Sequence, residues 1–305
     1  MWFDRLIDGV DTLARVYMRI GGLARPVRLG RTYFGAQVLC DVRDFIQRRI
    51  YYFGIYEPNL SHYLAQRIEP GDHVVDVGSN IGYVSLLAAH LVGPGTVIAV
   101  EASPSTYQKL CANLRRNGID NVVPVNAAAT GEPCLIEIVE GSDRNIGSGS
   151  VKPAGERAAR TVRGVPLSTL IVEPEKVTLI KIDIEGSEGA VLADILAHLD
   201  RFPSLRTIAV EMVPSSGGYL DRFRAAGFRA YALPNNYRIG ATLVRAYLDR
   251  SREGDFVVKR PVEAYAGAFT DYVFERDIPV GEAAQPPQRE PRIRVVSPSL
   301  PSPAA

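Results

Sequence analysis

From about residue 59 onward, apolar and polar positions follow a regular rhythm. A helical stretch over 59–68 precedes an apolar run at 73–77. Helical spacing over 82–92, a run at 96–101, helical spacing over 104–117 and a run at 122–126 come next. The rhythm returns later, predicting strands over 177–183, 206–212 and 228–232, helices over 188–200 and 217–226, and a last strand near 271–276. Apolar runs alternating with helices through short connections are the signature of βαβ units, hence of an α/β fold on a parallel sheet. Pro70-Gly71, Gly93-Pro94-Gly95 and Asn117-Gly118 supply turns between the elements.

Other stretches lie outside that rhythm. Phe3, Leu6, Ile7, Val10, Leu13, Val16, Tyr17 and Ile20 fall at helical spacing, which predicts a helix packed on the domain in preference to one lying on a membrane surface. Residues 32–57 mix aromatic and β-branched residues with charges and read as a short hairpin and an irregular arm. Residues 134–139 read as a strand, and the aperiodic "EGSDRNIGSGSVKPAGERAAR" after it predicts a functional or disordered loop. Residues 235–270 show no clear pattern, and the proline-rich stretch beyond 281, without aromatics, is expected to be disordered. The chain thus divides into an N-terminal helix and arm (1–57), a main domain (58–280) and a tail (281–305), with no internal repeats.

Composition narrows the partners. Of 305 residues, 46% are hydrophobic and 23% charged, ordinary values for a globular chain. The net charge of +1 gives no electrostatic case for nucleic acid. Cys40, Cys111 and Cys134 share no short spacing and have no histidines nearby, so neither a disulfide framework nor a zinc site is indicated. That usage suits a reducing, cytoplasmic compartment. Asp4, Arg5 and Asp8 interrupt the apolar N-terminus, and no stretch is long and apolar enough to span a bilayer.

Candidate chemistry begins at "HVVDVGSNIGYVSLLAAH", residues 73–90, a buried strand, a glycine turn and a helix. Such a turn can hold the pyrophosphate of a dinucleotide on the helix N-terminus. Here Asp76 replaces the first glycine of that fingerprint, in Asp76-Val77-Gly78-Ser79-Asn80-Ile81-Gly82. A carboxylate disfavours phosphate and favours a cationic ligand, which argues against a nicotinamide dehydrogenase. In this reading Gly78 allows close backbone approach, and Gly82 lets the helix start against the ligand. Glu101, nineteen positions after Gly82 and followed by Ala102, ends the next strand where an acidic residue is expected to bind ribose hydroxyls. A nucleoside with positive charge points to S-adenosylmethionine. Asn126 and Ala127 end the third strand, where small residues would admit an adenine; close strand-on-helix packing explains them equally well.

The segment "LIKIDIEGSEGAVL", residues 179–192, carries Lys181, Asp183 and Glu185 in alternation on a buried strand and at its edge. Ionised side chains are seldom buried without a task or a partner. An active-site position is expected, and a structural salt bridge through Lys181 is the alternative. With "GIYEP" (54–58), "VVDVGSNIGYVSLLAA", "VIAVEASP" and "NLRRNGIDNV", this segment resembles the FkbM family of S-adenosylmethionine-dependent methyltransferases over about residues 54–212.

The resemblance implies a seven-stranded, Rossmann-like class I methyltransferase sheet with helices on both faces and an antiparallel final strand. It also implies transfer to a hydroxyl, often on a sugar or another secondary metabolite, so the expected partner is a small-molecule or glycan acceptor. Glu57 resembles a family residue near the cofactor, with a surface position as the alternative. Members often carry Glu-x-His at the end of the strand over 206–212. Here Glu211 is followed by Met212 and Val213, so that histidine is absent. Asp183 and Glu185 are then the candidates to take the acceptor proton. They could alternatively hold a divalent cation, which is not predicted because no further ligand cluster is evident. His62, His73, His90 and His198 read as structural. A protein that keeps the nucleoside pocket without turnover is the competing reading.

Overall fold

The computed structural model describes residues 26–138, 151–153, 160–184, 186–234, 259–265 and 270–278. The expected N-terminal helix, the tail, Glu185 and most of 235–270 lie outside the described residues.

The described chain opens with an antiparallel hairpin of β1 (Val27–Arg31) and β2 (Gln37–Asp41). Next comes a helix where the sequence read as an irregular arm, α1 (Phe45–Phe53). Asp44 caps its start by accepting from the Gln47 amide, and Gly54 ends it in the left-handed region at φ 69°. The aromatic and β-branched content hid those two local signals. Val38, Cys40, Ile50, Phe53 and Ile55 enter the same buried cluster as Leu64, Val74, Leu86 and Leu110, so hairpin and α1 share the main core.

The βαβ elements follow as expected. They are α2 (Pro58–Arg67), β3 (His73–Val77), α3 (Tyr83–Val92), β4 (Thr96–Val100), α4 (Pro104–Arg116) and β5 (Val122–Val125). A second sheet of four strands is then inserted: β6 (Ala128–Thr130), β7 (Cys134–Ile138), β8 (Val151–Pro153) and β9 (Arg160–Pro166), in the order β6-β9-β7-β8. The aperiodic stretch is therefore interrupted by β8 and bounded by β9.

The main chain resumes with β10 (Val177–Ile182), α5 (Glu188–Ala197), β11 (Thr207–Glu211), α6 (Tyr219–Ala225), β12 (Arg229–Pro234), β13 (Arg260–Pro261) and β14 (Thr270–Glu275). The large sheet runs β13-β12-β14-β11-β10-β3-β4-β5. From β5 to β11 every pairing is parallel, and β14 runs antiparallel between β11 and β12. The two-residue β13 only extends one edge.

Strand periodicity decides which helices lie on which face. Val74, Leu179, Ala209 and Val273 pack with Leu64 of α2, Leu86 and Leu87 of α3 and Leu110 of α4. Val75, Ile180, Ile208 and Phe274 turn the other way, to Val191, Leu192 and Ile195 of α5 and Leu220 and Phe223 of α6. Each fully buried Leu or Ile contributes about 1.5–3 kcal/mol, so both layers are held firmly to the sheet. The carboxyl ends of β3, β4, β5 and β10 are thereby fixed side by side.

Candidate active site

The parallel register places Lys181 of β10 beside Asp76 of β3, both on the α2–α4 face. Asp76 is 0% exposed. Its Oδ2 accepts from Ser85 Oγ at 2.6 Å, while Oδ1 accepts no hydrogen bond and faces Lys181 Nζ at 3.4 Å. The carboxylate expected to favour a cationic ligand is thus an interior one, bonded to α3 and paired with β10. Lys181 Nζ also donates to the Gly78 carbonyl at 3.2 Å and lies 3.4 Å from Asp183 Oδ2. Burial opposes its charge, but the carboxylates of Asp183, Asp76 and Glu57 prevail and hold the ammonium protonated.

The turn after β3 is shaped by the protein itself. At Gly78, with φ 77°, an added Cβ would lie 1.8 Å from the Asp183 carbonyl oxygen, so the close approach is to the loop after β10. At Gly82, with φ 92°, it would meet Leu110 Cδ1 at 2.6 Å, so that glycine admits α4. Both residues make the turn, by packing that the sequence reading assigned to the ligand.

Two non-glycine residues adopt positive φ among the described residues, Asn80 at 49° and Glu57 at 43°. Asparagine tolerates that region and glutamate does so at a cost of roughly 1–2 kcal/mol. Glu57 is 9% exposed and immediately precedes α2. Such strain concentrates at functional sites. The Asn80 amide donates to Glu101 Oε2 at 2.8 Å, and its own Oδ1 is buried without a hydrogen-bond partner.

Glu101, half-buried at the end of β4, receives the Ser103 amide on Oε1 at 2.9 Å. Each oxygen thus carries one backbone donor, and a carboxylate with about four acceptor positions has room for two hydroxyls more. Burial pushes its pKa up to about 7, the Ser103 and Asn80 amides and Lys181 pull it down, and Asp76 adds to the rise. Asn126, exposed at the end of β5, donates to the carbonyls of Glu101 at 2.8 Å and Ala102 at 3.0 Å. Ala127 is buried, and Ala102 packs on Ala128, Ile136 and Val162 of the inserted sheet. The inserted sheet therefore abuts the site beside Glu101.

Asp183, a third exposed, follows β10, with its amide on the Val77 carbonyl at 3.0 Å. Glu185 lies outside the described residues. Sequence reading missed Glu188, which is 1% exposed. Its Oε1 accepts from the Gly186 amide at 2.9 Å, its Oε2 is buried without a partner, and burial, with Asp183 adding, raises its pKa. The signal available was a second carboxylate three positions after Glu185 at a helix start.

Asp76 and Asp183 thus pair with one ammonium, and Glu57 and Glu101 add their charges to it, leaving an excess of negative charge at the sheet edge. Among the described residues no group of three His, Cys, Asp or Glu side chains is placed to hold a metal ion, and no helix is long and apolar enough to cross a membrane.

Strand order, the reversed β14 and this edge define the class I methyltransferase fold. The chain matches the methyltransferase FkbM domain over residues 76–230, about half its length, and belongs to that family. Curated relatives align over short stretches. A tRNA(Phe) (4-demethylwyosine(37)-C(7)) aminocarboxypropyltransferase of Methanocaldococcus jannaschii is 39% identical over 54 residues, 18% of this chain and 22% of that protein. A ribosomal protein L11 methyltransferase of Bacillus cereus is 35% identical over 78 residues, 26% of this chain and 23% of that protein. The chain spans less than a quarter of the length of either relative. Among solved structures, a SAM-dependent O-methyltransferase from Thermotoga maritima aligns with TM-score 0.39 at 15% identity, covering 82% of this chain and 78% of that one.

Proposed function

We propose that the chain is an S-adenosylmethionine-dependent methyltransferase acting on a hydroxyl of a sugar or another small metabolite. The observation that carries the reading is the excess of carboxylates over the single ammonium at this edge. Four carboxylates to one buried ammonium favour a cationic nucleoside, and Glu101 retains acceptor positions for a pair of ribose hydroxyls. The residues fit the donor. Glu101 would hold the ribose, the orphaned Oδ1 of Asn80 offers one acceptor, and Glu57 supplies negative charge beside the turn. The donor, when bound, supplies an electrophilic methyl group. What this chain must do is exclude water, align the acceptor oxygen and receive its proton.

Asp183 is the group for the proton. It stands at the same edge, is reachable from solvent and is held in place by Lys181. The net charge of +1 gives a nucleic-acid acceptor no electrostatic support. Titration calorimetry should show binding of S-adenosylmethionine and S-adenosylhomocysteine. Labelled donor with a panel of hydroxylated acceptors should yield S-adenosylhomocysteine and a methylated product. Absence of binding heat would overturn the donor reading, and binding without product across the panel would favour a nucleoside-binding protein without turnover. Asp183→Asn should lower turnover roughly a hundredfold while donor affinity stays within threefold. If activity disappears with a chelator and returns with Mg²⁺, the acidic edge works through a cation instead.

A further inference from the structure

We propose that Lys181 is a positioning residue that locks the loop after β10 to the turn after β3, so that filling the donor side fixes the acceptor side. The inference rests on the donor reading above. Three ties join the two segments: Lys181 Nζ donates to the Gly78 carbonyl at 3.2 Å, the same ammonium pairs with Asp183 at 3.4 Å, and the Asp183 amide donates to the Val77 carbonyl at 3.0 Å. The absent side chain at Gly78 lets the backbones touch, since a Cβ there would meet the Asp183 carbonyl oxygen at 1.8 Å.

Stability alone does not explain a lysine at this position. Its side chain is 5% exposed, and it lies in register with Asp76 and Ala209. Replacing a buried ion pair by well-packed apolar residues of similar volume is often neutral or stabilising. An Asn–Met pair would fill the same space. What an apolar side chain cannot do is hold Gly78 and Asp183 at once. The ammonium pairs with Asp76 on β3 and Asp183 after β10, and the charges of Glu57, just before α2, and Glu101, just after β4, act on it from further away. Only Asp183 and the Gly78 carbonyl belong to the two segments being joined. Glu188, through the Gly186 amide, braces the far end of the same loop.

A placement error of 1 Å in an aligned reaction costs on the order of a hundredfold, so the lock should act on turnover more than on affinity. Lys181→Met alone would strand the charge of Asp76 in the interior, so the test compares Asp76→Asn with Asp76→Asn/Lys181→Met, which removes both buried charges. Asparagine keeps an acceptor for Ser85. The probe is S-adenosylhomocysteine, and the readout is hydrogen exchange at the amides of residues 183, 184, 186 and 187, with calorimetry in parallel. In the parent and in Asp76→Asn, the nucleoside should slow exchange in this loop at least fivefold. In the double variant it should still bind, within about tenfold of Asp76→Asn, but leave loop exchange unchanged, and turnover should fall roughly a hundredfold at constant donor KM. Equal loop protection in the double variant would overturn the lock. So would a double variant that folds and turns over like Asp76→Asn. No binding heat in the parent would remove the donor reading, and the lock with it, a result distinct from bound nucleoside without loop protection.

Discussion

Glu57 holds a backbone conformation that its own chemistry disfavours, at φ 43°. Glycine adopts that region freely, so Glu57→Gly should raise stability by roughly 1 kcal/mol in denaturant unfolding while weakening S-adenosylmethionine binding measured by calorimetry. Unchanged affinity would show that its carboxylate has no part in donor binding. Glu101 carries a second signature. Because burial raises its pKa from 4.5 to about 7, its contribution to folding is fully present below about pH 4.5 and is lost as pH rises through about 7. Glu101→Gln should remove that part of the pH–stability profile. Donor affinity should move the opposite way in the parent, falling as pH drops through about 7 and the carboxylate gains a proton. Glu101→Ala should weaken binding at least tenfold, since one charge-assisted hydrogen bond contributes about 1.5–3 kcal/mol. The place of Glu101 beside the glycine turn was legible because its distance from that turn is set by one helix and one strand. The pairing of Asp76 with Lys181 was not, because it depends on the register of β3 against β10, two strands that lie about a hundred positions apart in sequence.

At the scale of elements, Gly78 acts as a joint between two strands. Gly78→Ala should destabilise the protein by about 3 kcal/mol or more even without ligand, from positive φ and the collision with the Asp183 carbonyl. Loss of donor binding in such a variant would report the joint and not a ligand contact, which makes Glu101 the cleaner probe. A stability within 1 kcal/mol of the parent would mean that the two segments separate easily. A related clamp holds the hairpin: Asn113 accepts from the Leu39 amide at 2.9 Å and donates to the Ile81 carbonyl at 2.9 Å, tying β2 to the turn after β3 through α4. The periodic elements were readable because burial on one or both faces enforces their pattern. Helix α1 and strand β9 were not. In α1 buried polar residues, Gln47 and Arg49, break the apolar stripe, and in β9 a short alternation borders an aperiodic stretch. Of the inserted sheet only β7 was readable as a strand; that it belongs to a separate sheet was not, since its strands pair with each other and not with the repeating units.

Across the whole molecule, composition sets one further expectation. Deleting residues 281–305, rich in proline and lacking aromatics, should leave melting temperature and donor affinity unchanged, as followed by thermal unfolding and calorimetry. A large drop in either would show that this stretch contributes to the folded core. The order of strands has a different consequence for how the protein comes into being. β14 lies between β11 and β12, pairing with both, although it is made last of the three. Synthesis proceeds from the N-terminus at about 5–20 residues per second, so a nascent chain carries β11 and β12 with open edges until residue 275 has emerged. In the finished sheet Ile208 and Val210 of β11 are buried. A ribosome stalled, or a message cut, between the codons for residues 234 and 270 would release a chain with unpaired apolar strands, a substrate for chaperones and for aggregation.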